Sequence, residues 1–185
     1  LKEAGCISVT IAIESGVERV RKDILNRNIT DEQILYASSL LKKYRIRFAT
    51  ENMLAIPFTT LDDDLRTLDL NMKIRPDYPN AALLHPYPGT RLGKWAQEAG
   101  LYDGKYTHSS SPYTASPIKI DHKLERENLQ KLFAIVVQFP ILRKIIRPLL
   151  RLRLSLFYNI FFLLWRPYCL IFRLMPLKLG IMDFT

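Results

Sequence analysis

The chain of 185 residues has only two cysteines, Cys6 and Cys169, and they lie at opposite ends of the sequence. They match no metal-ligand spacing and are too few for a disulfide framework. A reducing compartment, the cytoplasm, is therefore expected. The sequence also lacks a basic start followed by a short apolar run, as a secretory signal would have. Its first residues read as the end of a helix running into a strand, so we expect the sequence to begin inside a domain.

Acidic residues are scarce in the last third of the chain. After Glu127 there are nine Lys or Arg residues and one acid, Asp183, so this stretch carries +8 of the formal net charge of +9. A positive field confined to one segment predicts a local anionic partner, such as a phospholipid surface or a nucleic acid. A solvated basic helix would explain the same pattern.

The sequence also lacks the run of about 20 apolar residues that a membrane-spanning helix needs. Leu154 to Trp165 is uncharged for twelve residues, and Arg166-Pro167 then interrupts the run. Arginines flanking aromatic residues suit a helix that lies at a membrane interface, so peripheral membrane contact through 141–185 is one expectation. Packing of this segment onto the rest of the protein is the alternative. Nucleic acid fits less well because the segment is so apolar.

What the sequence does have is the composition of a folded protein, with 48% apolar and 24% charged residues. Strand patterns over 7–13, 45–56 and 81–85 are each followed by helical patterns. Three such units predict parallel strands with right-handed crossovers, as in part of an α/β barrel or a doubly wound sheet. In both architectures ligands bind at the carboxyl ends of the strands.

Helix starts are marked by side chains that can cap a helix. Ser15 with Glu18 and Thr30 with Gln33 have the spacing of a capping box, and Thr60 can cap a third helix. A polar segment rich in serine and proline then predicts a linker over 103–120. Beyond it, 121–185 is expected to be helical, starting with an amphipathic helix that Pro140 ends.

Four segments in a fixed order carry a family resemblance. They are Ile-Ala-Ile-Glu14-Ser15-Gly16, Ile-Leu-Asn-Arg27-Asn-Ile-Thr-Asp-Glu-Gln, Asn52-Met-Leu-Ala-Ile-Pro57 and Pro86-Tyr-Pro-Gly-Thr90. Together they resemble the later part of the radical S-adenosylmethionine (SAM) barrel, of the type with an upstream cobalamin-binding domain. The resemblance covers about 1–102. It implies a partial (β/α) barrel of about three βα units, followed by the helical C-terminal region.

The resemblance also implies cofactors for the parent protein. In the family, three closely spaced cysteines hold a [4Fe-4S] cluster, SAM ligates the fourth iron, and reduction cleaves SAM to a 5′-deoxyadenosyl radical. Those cysteines are absent from this sequence, and neither Cys6 nor Cys169 can replace a loop of three thiolates. The parent is thus expected to use SAM, the cluster and, in one version, cobalamin, for radical methyl transfer or related chemistry. The chain alone is expected to be inactive.

The resemblance places Glu14 and Ser15 beside the ribose and methionine parts of SAM. It gives Arg27 the SAM carboxylate as a partner, since a guanidinium fork suits a carboxylate. The turn around Tyr87 is expected to contact adenine through its backbone. Ser15 can equally be a helix cap and Arg27 a surface salt bridge.

Asn52 or Glu51 can meet the cofactor or substrate, but not both, because successive strand residues face opposite sides. His85, at the end of a predicted strand, is expected to be structural rather than catalytic. Where the family shows Gly-Leu-Pro-Gly-Glu-Thr, this chain has Ala55-Ile56-Pro57-Phe58-Thr59-Thr60. That departure puts the close backbone approach and the polar contact of this turn in doubt.

Three interpretations remain open from the sequence. The parent is a radical SAM enzyme that acts on a small, lipid-like substrate; or the chain is a non-catalytic membrane-associated or scaffold protein derived from such a barrel; or it belongs to an unrelated barrel enzyme. The expected location is cytoplasmic, at the inner membrane face if the basic segment binds lipid.

Overall fold

The structure is a computed structural model that describes residues 1–105 and 111–175. Its described residues contain one three-stranded parallel sheet, ordered β1-β2-β3. The strands are β1 (Ser8–Glu14), β2 (Arg47–Leu54) and β3 (Tyr78–Leu83). The predicted mixed α/β fold with three parallel strands is confirmed. The sheet is open, so closure into a barrel stays a prediction.

The third strand begins earlier than its sequence pattern indicates. It starts at Tyr78 instead of Ala81, with Pro79 opposite Thr50. Proline has no N–H to donate and is tolerated on edge strands. Pro79 is accommodated because, among the strands that the structure describes, β3 has β2 as its neighbour on one side only.

Two helices cross from strand to strand, and both begin where the sequence predicts. These are α1 (Asp31–Lys43) and α2 (Leu61–Ile74). Thr30 with Gln33, and Thr60 with Asp63, each form a reciprocal capping box. Each box supplies partners for backbone N–H groups that a helix start leaves unpaired.

The capping box predicted at Ser15 does not form. The Ser15 hydroxyl accepts from the N–H of Val17 (3.2 Å), and the Glu18 carboxylate accepts from the N–H of Asp31 (2.7 Å). The segment forms a short π-helical turn, Val20–Ile24, in place of a regular capped helix. The Glu18 carboxylate that the box needs is bonded instead to the backbone at the start of α1.

Two further helices follow the sheet: α3 (Arg91–Glu98) and α4 (Lys123–Gln138). The first leads to Gly100, whose φ of +69° suits the left-handed end of a helix. The second packs against α2 and β3. The main core joins both parts of the chain, with Leu54, Leu65, Leu68, Leu83, Leu129, Phe133, Val136, Ile146 and Leu150 among its members. Residues 129–158 therefore share their core with the sheet.

The last described residues form a helical arm. It consists of a 3₁₀ turn (Pro140–Ile145), α5 (Ile146–Arg151), α6 (Ser155–Tyr168) and a π-helical continuation (Cys169–Leu174). Cys169 and Leu174 pack against Ala49 and Tyr78. Parts of the predicted linker and of the apolar segment, 106–110 and 176–185, lie outside the described residues.

Candidate functional site

The candidate site lies at the carboxyl edge of the sheet, where β1 ends at Glu14. The Glu14 carboxylate accepts from the Arg27 guanidinium at 2.7 Å. The carboxylate is 17% exposed and the guanidinium 36%. The structure thus brings together two residues that the family resemblance assigns to SAM, Glu14 to its ribose and methionine parts and Arg27 to its carboxylate.

The charge of Glu14 is held in a partly desolvated position. Burial raises its pKa, Arg27 lowers it, and the nearby Glu51 carboxylate raises it, so that the pKa lies above the ordinary value. Glu14 also has a φ of +68°, which is uncommon for a residue with a side chain. Strained backbone and a perturbed carboxyl group at a strand end are typical of binding sites, although structural ion pairs produce them too.

Ser15 is buried and its polar groups are used within the turn. Its hydroxyl bonds the N–H of Val17, and its carbonyl accepts from Arg21. The structure therefore places Ser15 as a support for Glu14, and direct contact with SAM stays a prediction.

Arg21 is a residue that the sequence reasoning missed. Its side chain is fully buried and donates to the carbonyls of Ser15 (2.7 Å) and Ile29 (2.8 Å) and to Asp31 (2.6 Å). It thereby joins the end of β1 to the start of α1. One signal was present: Arg21 lies on the apolar side of the Val17, Val20 and Ile24 pattern.

Gly16 is required by close packing. A Cβ atom there would lie 2.4 Å from the carbonyl oxygen of Arg66 in α2, and the Gly16 N–H donates to Thr67 Oγ1 at 2.8 Å. Such distances leave no space for a side chain. The Glu-Ser-Gly segment is therefore fixed against α2 at its glycine and exposes its glutamate to the sheet edge.

The two alternatives on β2 face opposite sides, as predicted. Asn52 is buried beside α2, where its amide exchanges hydrogen bonds with Asn71 and donates to the Asn80 carbonyl at 2.8 Å. Glu51 lies on the other face and accepts from the Asn80 side chain at 2.6 Å. The amide of Asn52 is thus committed to structure, and a ligand contact by it stays a prediction.

A polar cluster surrounds Glu51 on the face of the sheet away from α1 and α2. Asn80 Nδ2 also donates to the Tyr113 hydroxyl (3.2 Å), and the Tyr78 hydroxyl donates to Asn80 Oδ1 (3.0 Å). The Arg166 guanidinium lies over the Tyr113 ring at 4.3 Å. Burial raises the pKa of Tyr78, which therefore stays neutral. Sequence reasoning missed Asn80 and Tyr113, because Tyr113 reaches the sheet from the predicted linker.

In the turn after β2, Ala55 and Phe58 stand where the radical SAM pattern has glycine. Ala55 and Phe58 have φ values of +59° and +64°, in the left-handed region that favours glycine. The Phe58 ring lies 4.5 Å from the Trp95 ring of α3. Both residues thus adopt a glycine-like conformation although neither is glycine.

A buried ion pair fixes the same turn from the other side. Asp64 accepts from the Ala55 N–H and from two nitrogens of Arg126 (2.6 and 3.2 Å), and Arg126 also bonds the Thr59 carbonyl and hydroxyl. Burial raises the pKa of Asp64, against the effect of Arg126. Thr59, which stands where the family has glutamate, is thus an acceptor for an arginine of α4.

Tyr87 and His85 follow β3. Tyr87 is exposed, and its carbonyl accepts from the hydroxyl of Thr90 at 2.8 Å, in the turn that begins α3. His85 is buried, with Nδ1 3.1 Å from the Leu83 carbonyl, while Nε2 has no protein partner in the described part of the chain. Neither is brought into contact with Glu14 by any described bond.

The cysteines do not fit an iron-sulfur cluster. Cys6 precedes β1 and lies 3.5 Å from the Ser8 carbonyl, whereas Cys169 is buried in the helical arm beside Gln138. The described residues contain no group of three Cys, His, Asp or Glu side chains that could hold a metal ion. A cluster needs thiolates that converge from one region. Glu14 and Arg27, by contrast, fit the charged end of SAM.

Comparison with known proteins finds a partial similarity to a methyltransferase. No protein-family model matches the chain. Over 96 residues, 52% of its length, the chain is 30% identical to an uncharacterized methyltransferase of Pyrococcus horikoshii. It spans about a fifth (21%) of the length of that relative. The similarity is compatible with the predicted SAM-dependent family.

Proposed function

We propose that this chain forms part of a SAM-dependent methyltransferase and contributes to its SAM pocket at the carboxyl edge of the sheet. One observation carries the proposal. The Glu14–Arg27 pair lies at the end of the first parallel strand, in a chain similar to a methyltransferase. Ligands of parallel α/β sheets bind at that edge.

The chemistry of the pair matches the methionine end of SAM. This end of SAM carries an ammonium group, which can donate a hydrogen bond to the Glu14 carboxylate. It also carries a carboxylate, which the Arg27 guanidinium can bind. SAM, when bound, supplies an electrophilic methyl group. In this proposal Glu14 and Arg27 hold the zwitterion, Ser15 and Arg21 keep the strand end in place, and Glu51 supplies a second acceptor on the same side.

We further propose that the parent enzyme cleaves SAM to a 5′-deoxyadenosyl radical. This radical version rests on the order of the four sequence segments, and its cluster would need ligands outside this chain, since Cys6 and Cys169 do not fit. Anaerobic reconstitution of a longer natural protein and detection of 5′-deoxyadenosine test it. This version of the proposal includes cobalamin as a further cofactor and a small, lipid-like substrate.

Isothermal titration of SAM into the chain tests the site directly. Charge-assisted hydrogen bonds contribute about 1.5–3 kcal/mol, so Glu14→Gln and Arg27→Gln should each weaken binding by roughly tenfold or more. Arg143→Gln is the matched control. It also removes an arginine from an ion pair with a carboxylate, that of Asp69, but it touches neither Glu14 nor Arg27. Absence of saturable binding, or equal affinity of Glu14→Gln and the control, would contradict the proposal.

A non-catalytic protein derived from such a barrel is the second candidate. Ala55 and Phe58, both in left-handed conformations without glycine, favour it because they make the turn after β2 bulkier. The same titration separates the two candidates. A non-catalytic derivative whose pocket has decayed would not bind SAM through Glu14.

A further inference from the structure

The outer side of α6 and of its π-helical continuation is an exposed apolar surface. Its members are Leu156, Phe157, Ile160, Phe161, Leu163 and Leu164 in α6 and Ile171 and Phe172 in the continuation. Leu156 and Leu164 are 74% and 69% exposed. Residues four apart stand above one another on a helix, so these side chains form one continuous stripe. Contiguous apolar surface of this kind marks a contact with another molecule or a membrane.

The opposite side of α6 is already covered by the protein. Tyr158 is buried and its hydroxyl donates to the Leu149 carbonyl, and the Phe162 ring lies 5.7 Å from the Tyr113 ring. The helix is therefore apolar on both its inner and its outer sides. A helix that is hydrophobic all round is otherwise found in protein cores or in lipid.

The charges beside this surface point to an anionic partner. Residues 141–175 contain seven Lys or Arg and no Asp or Glu. Arg143 and Arg147 are paired with Asp69 and Asp62. Lys144, Arg151 and Arg153 are exposed and form no direct ion pair with any residue that the structure describes, although Arg151 lines one cavity with Asp62, Asp121 and Glu125. Basic residues next to an apolar helix face are the pattern of attachment to anionic phospholipid.

Aromatic rings border the same surface. Phe139, Trp165, Tyr168 and Phe172 form a series with ring centroids 5.1–5.7 Å apart. Phe139, Tyr168 and Phe172 are exposed, whereas Trp165 packs partly against the inner cluster of Cys169 and Leu174. Aromatic residues are enriched where a protein meets the boundary between headgroups and hydrocarbon.

The helix is held too firmly on the sheet to cross a bilayer in this fold. The interruption predicted at Arg166-Pro167 does not end the helix, because Pro167 lies inside α6. Among the described residues, Ser155–Leu174 is the one helical stretch long and apolar enough to span, by length and composition alone. Its second half, however, packs against β2 and β3 through Cys169 and Leu174. A spanning orientation would draw the open edge of β3 towards hydrocarbon, where unpaired backbone groups are very costly.

We propose that the outer face of α6 and the adjoining basic segment 144–153 bind the surface of an anionic phospholipid bilayer, with the helix lying in the plane of the interface. The apolar stripe enters the boundary of the acyl chains, and Lys144, Arg151 and Arg153 meet the lipid phosphates. The proposal does not rest on the SAM site: Cys169 and Leu174 pack on Ala49 and Tyr78, near the amino ends of β2 and β3, and the stripe lies on the opposite side of α6 from the ring contact with Tyr113.

Co-sedimentation of the full chain with vesicles tests the proposal. Binding is expected to mixed phosphatidylcholine–phosphatidylglycerol vesicles, to fall as salt is raised, and to be weaker on phosphatidylcholine alone. Arg151→Gln/Arg153→Gln should lower partitioning to the anionic vesicles by roughly 30-fold, the factor expected of two surface cations. The control Arg19→Gln/Lys22→Gln removes two exposed cations from the sheet region and should change little.

The apolar stripe is tested by a second pair of variants. Leu156→Gln/Leu164→Gln should lower partitioning by at least about tenfold on both vesicle types, because it removes exposed apolar area. The control Tyr36→Gln/Tyr44→Gln alters two exposed aromatic residues of α1. If the first pair changes the circular dichroism spectrum, Ile160→Gln/Leu163→Gln tests the same face.

Three results would overturn the proposal. The first is equal partitioning of the α6 variants and their controls, or no binding to anionic vesicles. The second is a concentration-dependent dimer in sedimentation velocity that Leu156→Gln/Leu164→Gln abolishes without any vesicle binding, which would assign the stripe to a second copy. The third is vesicle-bound protein that resists extraction by alkaline carbonate, which would indicate a spanning helix.

Discussion

The sheet region, 1–105, and the helical region, 111–175, differ in the surfaces that they present. Both regions bury polar side chains, such as Arg21 and Asn52 in the sheet region and Arg126 and Gln130 in the helical region. In the sheet region a strand end carries the charged pair of Glu14 and Arg27, whereas in the helical region α6 turns an apolar face outward. One region thus presents a polar site and the other an apolar surface.

Loss of Arg126 should break the link between the two regions. Arg126→Met leaves the buried Asp64 carboxylate without its cation, and breaking a buried pair in this way costs about 3–5 kcal/mol. Urea unfolding followed by circular dichroism measures the effect. Arg143→Met, which breaks the exposed pair with Asp69, should cost less than about 1 kcal/mol. An equal loss of stability in Arg126→Met and Arg143→Met would show that the Asp64 carboxylate is not desolvated as described.

The helical region should be sensitive to cavities only on its inner side. Leu150 is fully buried, and Leu150→Ala should cost about 3 kcal/mol, within the range for buried leucine. Leu164→Ala, on the outer stripe, should cost less than about 0.5 kcal/mol, as surface substitutions do. Thermal unfolding compares the two variants. A large loss at Leu164 would mean that the outer face is packed within the protein.

The turn after β1 should not tolerate a side chain at Gly16. Gly16→Ala places a methyl group against the backbone of α2 and should cost about 2 kcal/mol, as overpacking typically does. At Gly89 no atom lies close to the position of an added methyl group. Gly89→Ala should therefore lower stability by about 1 kcal/mol, because of its φ of +80° alone. Chemical unfolding of both variants checks the ranking, and the reverse order would contradict the close approach of α2.

The smallest expected effect is an increase in stability on replacing Arg75 with glycine. Arg75 ends α2 in a left-handed conformation with a φ of +48° and is exposed. Arg75→Gly should stabilise the protein by about 0.5–1 kcal/mol, because glycine adopts this conformation without strain. A rise in the midpoint of urea unfolding would confirm it. Arg66→Gly, inside α2, should instead lower the midpoint.

Local patterns were reliable where a helix supplies its own partners. Thr30 with Gln33 lies in the first turn of one helix, so the sequence alone predicts the capping box. The same pattern at Ser15 failed because Glu18 bonds the N–H of Asp31, which lies 13 residues away. The candidate pair of Glu14 and Arg27 was predicted residue by residue, but not that the two would contact each other.

The sequence by itself determined three parallel βα units, two of the helix caps, the carboxyl edge of the sheet as the place for a site, and the basic, apolar character of the C-terminal third. These follow from local periodicity, capping chemistry and composition. Only the tertiary structure decided that Asn52 faces α2, that Arg21 and Arg126 are buried, and that one face of α6 is covered and the other is not. Burial and pairing depend on which distant segments pack together, and no spacing along the chain specifies that.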